Sequence, residues 1–367
     1  MLHVLIMAGG SGTRFWPESR RARPKQLLPL VDERSMIRAT FDRVRSVVPT
    51  SRVWLALGTG LVDAVRTELP EVDARTYVVE PCQRNTAPCI GLAALRMLRD
   101  DPDAVMLVLP SDHAIRDVEA FRRAVTLAER LAAKPRKQLV TFGIRPTYPA
   151  EGFGYIERGA TLSPPRGAFS ALAAELDAYE VVRFREKPKQ AQAEEFLQAG
   201  TFYWNSGMFV WRADVIVAAL AAHEPEMPAR LRAIVDAHGE ANEAEVLATE
   251  FPQIRGISID YAVLERSREV VVIEAPFDWD DVGSWGALAR LRGTDARGNT
   301  IVGKFVGHDT SGTIVRTDDR HLVATLGLKD CIVVHTPDAT LVADRRDEES
   351  VRRLVEMLKE RGWEDVL

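Results

Sequence analysis

The residues best suited to chemistry fall into a few clusters, and the first follows an apolar run. His3 to Ala8 leads into Gly9-Gly10-Ser11-Gly12-Thr13-Arg14-Phe15-Trp16-Pro17, and the chain then reaches Pro24-Lys25. Glycines after a strand let backbone N–H groups approach a phosphate closely, because no Cβ blocks the turn. From Arg14 to Lys25 the basic residues Arg14, Arg20, Arg21, Arg23 and Lys25 face one acid, Glu18, in a chain whose net charge is -5. Such clustering suits a phosphate chain. A tight structural turn and a solvated basic loop are the plainer readings of the same residues. A Walker loop would close with Gly-Lys-Ser/Thr, and a dinucleotide fingerprint would need Gly at Phe15, so neither is present.

Acidic residues after apolar runs form the second group. In Leu107-Val108-Leu109-Pro110-Ser111-Asp112-His113, Asp112 stands where a buried strand would end, at an edge where a hard oxygen ligand can meet Mg²⁺. Trp279-Asp280-Asp281-Val282-Gly283-Ser284-Trp285 is another acidic turn, and Asp112 with Asp281 would suffice for an ion that also binds substrate phosphates. Each aspartate alone also reads as a helix cap. His113 reads as a local hydrogen-bonding group rather than a base, and the seven histidines form no zinc pattern. Arg185-Glu186-Lys187-Pro188 and Trp204-Asn205-Ser206-Gly207-Met208 carry groups suited to an acceptor: Glu186 and Asn205 for sugar hydroxyls, Lys187 for a sugar phosphate. A surface ion pair and a simple turn explain them equally well. The run Glu80 to Pro88 can present backbone and amide groups to a base, or simply start a capped helix.

Those clusters need a scaffold. The chain has 367 residues, 46% hydrophobic and 28% charged, enough for one large folded unit and a smaller one. Runs that are apolar on successive residues, at His3 to Ala8, Val53 to Leu57, Tyr77 to Val79, Ala104 to Leu109 and Gln138 to Ile144, predict strands buried on both faces. Helical periods lie between them: Ile37, Phe41, Val44 and Val48 after the cap Ser35, then Thr86 to Leu98 and Val118 to Leu131. This alternation predicts an α/β fold with a doubly wound, mostly parallel sheet, whose ligands sit beyond the carboxyl ends of the strands. The Ala- and Glu-rich stretch Pro225 to Glu250 reads as a solvated surface helix pair. Past Arg290 come short pieces with Gly and Asp turns: Thr300 to Val306, Gly312 to Arg316, Leu322 to Leu326, Cys331 to His335 and Thr340 to Ala343. A helix from Asp347 to Arg361 follows. The expected division is a large domain over 1–290 and a small β-rich appendage over 291–367. Three cysteines without CxxC spacing argue against a disulfide framework, so a reducing cytoplasm is expected. The acidic balance and the lack of a long apolar segment predict neither nucleic acid nor membrane as partner, and the apolar β-rich tail suits a homodimer.

Together, in order from Met1 to about Ala343, these motifs resemble the mannose-1-phosphate guanylyltransferases (GDP-mannose pyrophosphorylases), within the wider sugar nucleotidyltransferases. The resemblance rests on Gly9 to Gln26, Glu80 to Pro88, Pro110 to His113, Gly152 to Tyr155, Glu186-Lys187-Pro188, Trp204 to Met208, Ile259-Asp260-Tyr261 and Trp279 to Trp285. Phe15-Trp16-Pro17, Arg84 to Pro88 and Asp281 to Trp285 resemble the mannose-specific branch. The chain departs at Pro149 to Phe153, where the family carries Thr before the Gly.

The resemblance implies a Rossmann-like nucleotidyltransferase fold and a set of roles. Ala8, Gly9, Gly10, Gly12, Thr13 and Arg14 would hold the triphosphate of GTP, and Asn85, Thr86, Ala87, Pro88 and Ser111 its guanosine. Gly154, Glu186, Lys187, Asn205 and Asp260 would hold mannose 1-phosphate, with Mg²⁺ on Asp112 and Asp281. Arg14, Lys25 and Lys187 would supply the remaining positive charge to the reaction. Relatives with an added cupin domain carry isomerase activity; this chain stops at Leu367 after a short helix, so no phosphomannose isomerase activity is expected. A nucleotidyltransferase for another sugar or base and a non-catalytic nucleotide sensor are the rival readings.

Overall fold

A computed structural model describes residues 1–10, 12–133, 138–162 and 176–367. The first strands are β1 (Leu2–Ala8), β2 (Val53–Gly58), β3 (Tyr77–Glu80), β4 (Val105–Pro110) and β5 (Leu139–Ile144). They are followed by β6 (Tyr155–Thr161), β7 (Ala178–Arg185), β8 (Phe202–Arg212) and β9 (Val270–Glu274). Among the described residues these nine form one sheet, in the order β3-β2-β1-β4-β8-β5-β9-β7-β6. The β3-β2-β1-β4 part is parallel throughout. The chain winds outward from β1 to β3 and then returns to β4 on the other side of β1, which opens a crevice beyond the carboxyl ends of β1 and β4. The long strand β8 runs antiparallel to β4, β5 and β6 and so joins this half to the rest.

Burial on both faces explains the unbroken apolar runs. In β1, Leu2, Val4, Ile6 and Ala8 enter the core beneath the helices Met36–Val44 and Val118–Ala132, while Leu5 enters the opposite core beneath Thr86–Asp100. Ser35 caps the first of these helices by accepting from Arg38 N. The stretch expected to be a solvated helix pair divides. Glu243–Glu250 buries no residue, but Glu226–Asp236 buries Met227, Leu231, Ile234 and Val235 in the core it shares with Thr86–Asp100. Gly91 permits this contact, since a Cβ there would lie 2.7 Å from Leu231 Cδ1. The Ala and Glu content hid an amphipathic face.

The C-terminal strands are β10 (Thr300–Val302), β11 (Phe305–His308), β12 (Ile314–Arg316), β13 (Val323–Leu326), β14 (Cys331–His335) and β15 (Thr340–Asp344). Successive passes stack in parallel, β10 on β12 on β14 and β11 on β13, and β15 closes the larger stack antiparallel. The single expected piece Thr300 to Val306 is split between two sheets, because the chain turns at Gly303 with φ +101°, where a Cβ would collide with the Thr317 carbonyl oxygen. The final helix begins later than expected. Arg345–Ser350 is a 3₁₀ segment, and the α-helix covers Val351–Glu360.

Phe15, Trp16, Val282, Trp285 and Leu288 form one buried cluster with Ile314, Ile332, Leu341, Val351 and Val355, so the two parts of the chain share a core. The N-terminal loop is pinned to the β-rich part by Trp16 Nε1 donating to Val366 O (2.8 Å), and by the pairs Arg316 Nε with Glu18 (2.6 Å) and Arg20 Nη2 with Asp338 (2.8 Å).

Candidate active site

The glycine loop leaves β1 at its carboxyl end. Gly10 (φ +97°) and Gly12 (φ +59°) both use the left-handed region. A Cβ at Gly12 would lie 2.5 Å from Lys25 Cβ, so this glycine lets the loop close on Lys25; no atom would crowd a Cβ at Gly9 or Gly10, which face open space. Ser11 lies outside the described residues. Gln26 Nε2 donates to Ala8 O at 3.1 Å and fixes the Lys25 turn against the strand end.

Lys25 organises the crevice. Its side chain is 8% exposed, and Nζ donates to Asp112 Oδ2 at 2.7 Å and to the Asp281 carbonyl oxygen at 2.6 Å. One ammonium thereby joins three distant turns, and it is buried only because both partners satisfy it. The two acidic turns are also stitched by backbone: Ala114 N donates to Asp280 O (2.9 Å), and Asp280 N to Ala114 O (3.1 Å). Asp280 is used up holding this geometry, accepting from Val282 N (2.8 Å) and pairing with Arg290 (2.6 Å). The Asp281 carboxylate is left for the crevice, where a Cβ on Gly283 would touch both its Oδ2 (2.8 Å) and Arg14 Nη1 (3.4 Å).

The two aspartates differ electrostatically. Burial pushes the Asp112 carboxyl up, but the charges of Lys25 and His113 outweigh it and hold the group below its ordinary value. Asp281 is raised, first by burial and further by Asp280 and Asp112, against the lowering effect of Lys25 and Arg14. His113 behaves as expected of a local hydrogen-bonding group. It accepts from Trp279 Nε1 at Nδ1 (3.1 Å), and burial depresses its pKa to about 4.

Beside the loop lies a cavity of about 410 Å³ lined by Gly9, Gly10, Glu80, Arg84, Asn85 and Asp112, among others. Asn85 and Thr86 both line it, with Asn85 Oδ1 accepting from Thr86 N at 2.9 Å. Other residues expected on the nucleotide side are placed differently. Ala8, Ala87 and Pro88 are buried in strand or helix and do not line this cavity. Ser111 is 1% exposed and does not line this cavity, which its neighbours Pro110 and Asp112 do.

Across the crevice the expected acceptor residues converge. Glu186 Oε2 lies so close over Gly154 that a Cβ there would approach it to 2.5 Å. Asn205 N donates to Gly154 O (2.8 Å), and Asn205 Nδ2 donates to Asp260 Oδ1 (2.9 Å). Lys187, at φ 46°, sets Nζ 3.5 Å from Glu186 Oε1. Burial, and then Glu186, raises Asp260 to about 6; burial also raises Glu186 despite Lys187. Two desolvated carboxyls beside an amide form a set of acceptors short of donors, which is what hydroxyl groups can fill. Two contacts connect this cluster to the nucleotide side: Ile259 N donates to Thr86 Oγ1 (2.9 Å), and Gly207 abuts Pro110 and His113.

Sequence reasoning missed one participant. Glu349 Oε1 accepts from Arg14 Nη1 at 2.9 Å, and neighbouring Glu348 accepts from Gly286 N at 2.6 Å. In sequence these acids look like ordinary charges at a helix start, and nothing local signals a partner more than three hundred positions away. Phe15, Trp16 and Trp285, from the motifs that resemble the mannose-specific branch, have a structural place. At 1%, 9% and 0% exposure they pack the core shared with the β-rich part and do not face the crevice.

Residues 3–297 match the nucleotidyl transferase family, and residues 303–358 match the mannose-phosphate isomerase/GMP-like β-helix domain. The chain is 36% identical, over 98% of its length, to the mannose-1-phosphate guanylyltransferase of Klebsiella pneumoniae, of which it spans 74%. It is also similar to a solved structure from Thermus thermophilus named mannose-1-phosphate geranyltransferase, with 34% identity, a TM-score of 0.83, and coverage of 98% of this chain and 99% of that one. A Helicobacter pylori structure named mannose-6-phosphate isomerase matches with 28% identity and a TM-score of 0.60, covering 76% of this chain and 99% of that one. The chain belongs to the nucleotidyl transferase family, in its mannose-1-phosphate guanylyltransferase branch.

Proposed function

We propose that the protein transfers GMP from GTP to α-D-mannose 1-phosphate, releasing pyrophosphate, in a site divided as the crevice is divided. The observation that carries this reading is the Lys25 ammonium bonded at once to Asp112 and to the Asp281 turn, beside the glycine loop and opposite the Glu186–Asp260 cluster. In the reaction, a phosphate oxygen of the sugar phosphate forms a bond to the α-phosphorus of GTP. The bond from that phosphorus to the bridging oxygen breaks, and pyrophosphate leaves with the electron pair. The nucleophile is already an anion, so no general base is needed, in keeping with a neutral His113. The difficulty is bringing two polyanions together in line.

Each group then has a role. Backbone N–H groups of Gly9, Gly10 and Gly12, with Thr13, cradle the phosphates, while Arg14, Lys25 and Lys187 offset their charge. Asp112 and Asp281 suit Mg²⁺. Asp112 raises the cost of ionising Asp281, a cost a cation would relieve, and Mg²⁺ in such sites needs only one or two carboxylates plus substrate phosphates. Among the described residues no group of three or more His, Cys, Asp or Glu converges, so a cage made of protein ligands alone is not what these residues offer. Bound there, Mg²⁺ would supply positive charge at the reacting phosphates. Glu186, Asn205 and Asp260 accept from sugar hydroxyls, and Lys187 binds the sugar's phosphate. Residues 1–290 form the catalytic unit in this reading. The three unpaired cysteines suit a reducing cytoplasm, and among the described residues no helix is long and apolar enough to cross a membrane.

The test is pyrophosphate release from GTP, UTP or dTTP, each offered mannose 1-phosphate or glucose 1-phosphate. GTP with mannose 1-phosphate is expected to give the highest kcat/KM. Release from no pair would overturn the reading. A related prediction concerns Glu349. Its pair with Arg14 is solvent-exposed on both sides and so worth little, about 0–1 kcal/mol, which lets a triphosphate take over the arginine. Glu349→Gln is expected to lower the KM for GTP about two- to fivefold with kcat little changed; an unchanged KM would mean that Arg14 does not reach the phosphates.

A further inference from the structure

A second cavity, of about 470 Å³, borders the turn that carries Asp112 but shares no lining residue with the one beside the glycine loop. Its wall is formed by the helix Met36–Val44, by residues from His113 to Arg116, and by the start of the helix Val118–Ala132. Four arginines and three carboxylates line it, and most of them cancel in pairs. Arg34 lies 2.6 Å from Asp32 and 3.3 Å from Asp42, and Arg122 pairs with Glu119. Arg43 and Arg116 are the cations left over.

Arg43 is 4% exposed, and among the described residues its guanidinium meets no carboxylate. Its one hydrogen bond runs from Nη2 to the His113 carbonyl oxygen at 3.1 Å. The group also lies over the Phe121 ring, 5.6 Å from its centroid, a contact that uses its charge but none of its N–H donors. Burial lowers its pKa to about 10, opposed by the charge of Asp278 and reinforced by that of Arg34. Asp278 Oδ1 is already occupied, accepting from Arg116 N at 2.8 Å and from Asp117 N at 3.0 Å. The exposed Arg116 side chain has no partner among the described residues, and Arg122 Nε is buried without one. A guanidinium buried with a single bond is costly, and an anion that accepts several of its hydrogens relieves that cost.

We propose that this cavity binds a phosphate group, free or carried on a small ester, whose oxygens accept from Arg43 and Arg116. A phosphate brings enough charge and enough oxygens to answer two guanidinium groups, where a carboxylate answers one. The space exceeds what one oxyanion fills, and Val31, Met36 and Ile115 on the wall would meet the carbon part of an ester. The site is separate from the crevice and does not depend on which reaction occurs there. It is nonetheless linked to it. The guanidinium that takes the phosphate also holds the carbonyl of His113, the residue after Asp112. A bound phosphate fixes that guanidinium and so steadies the turn from which Asp112 faces the crevice.

The probes are inorganic phosphate and glycerol 3-phosphate, titrated by calorimetry at low ionic strength into Lys25→Met, in which phosphate binding at the crevice is weakened. Both are expected to bind with a Kd of about 0.1–5 mM. Adding Arg116→Ala should weaken them about three- to tenfold, and adding Arg43→Gln by more. Arg43→Gln disturbs a buried contact, so Arg116→Ala, at an exposed side chain, decides the matter if the other variant fails to fold. Tighter binding of the ester assigns the site to esters, and equal binding assigns it to the phosphate group alone; both uphold it. With Lys25 intact, saturating glycerol 3-phosphate should lower the free Mg²⁺ concentration for half-maximal turnover about two- to fivefold, a shift that should shrink in Arg116→Ala. No saturable binding below about 20 mM, or binding unchanged by Arg116→Ala, overturns the proposal. An unaltered Mg²⁺ dependence overturns the link to the Asp112 turn. If the protein shows no turnover at all, the guanylyl-transfer reading fails by itself, and the titrations still decide whether the cavity takes phosphate.

Discussion

Lys25→Met is expected to lower turnover by about 10²- to 10³-fold, the usual cost of removing one preorganised charge from a phosphoryl-transfer site. Methionine keeps most of the length and apolar volume of the lysine stem, which packs with its ammonium 6.0 Å from the Phe15 ring centroid. What it removes is the bond to Asp112 and the bond to the Asp281 carbonyl oxygen. The turns that carry the two aspartates stay joined by the Ala114–Asp280 backbone pair and by Arg290 on Asp280, so the fold should persist. The Asp112 carboxyl should rise once its main charge partner is gone, because burial already pushes it upward. Turnover near the parent level in a protein with an unchanged unfolding midpoint would remove Lys25 from the chemistry.

Asp281→Ala is expected to have a comparable effect by a different route, and the structure separates the two. Lys25 is bonded to the backbone oxygen of Asp281, which alanine retains, so this variant keeps the Lys25–Asp112 link and the stitched turns. Only the carboxylate is lost. Activity should fall about 10²- to 10³-fold at ordinary Mg²⁺, and the Mg²⁺ concentration for half-maximal rate should rise markedly. Loss of rate without any change in the Mg²⁺ dependence would place Asp281 outside the metal site while leaving its positioning role.

Much of the scaffold was legible because its physics is local. Strands buried on both faces have to be apolar at successive positions, and β1, β2, β4 and β5 lie within a residue or so of the runs that mark them. Ser35 and the helix it caps were equally plain. What could not be read was whatever depends on distant partners. The Lys25 ammonium finds its two acceptors 87 and 256 positions away, so the sequence displays a basic loop and two acidic turns but not the bond that unites them. Glu349 was invisible for the same reason. Phe15, Trp16 and Trp285 mark the branch of the family without facing the crevice; their constraint is the core shared with the β-rich part. Ser111 illustrates a finer limit, because the sequence does not show that its neighbours Pro110 and Asp112 line the cavity while Ser111 is buried between them. The acceptor cluster fared better. Gly154, Glu186, Asn205 and Asp260, brought together from four separate segments, do meet.

The most direct test of the central claim is product stoichiometry in a single experiment. GTP and mannose 1-phosphate are mixed with the protein and Mg²⁺, and pyrophosphate, GDP-mannose and free GMP are followed together. The expected result is one GDP-mannose for each pyrophosphate, no free GMP, no GTP consumption when mannose 1-phosphate is omitted, and loss of nearly all product in Lys25→Met. Consumption of GTP at the same rate without the sugar phosphate, or pyrophosphate appearing without GDP-mannose, would contradict it.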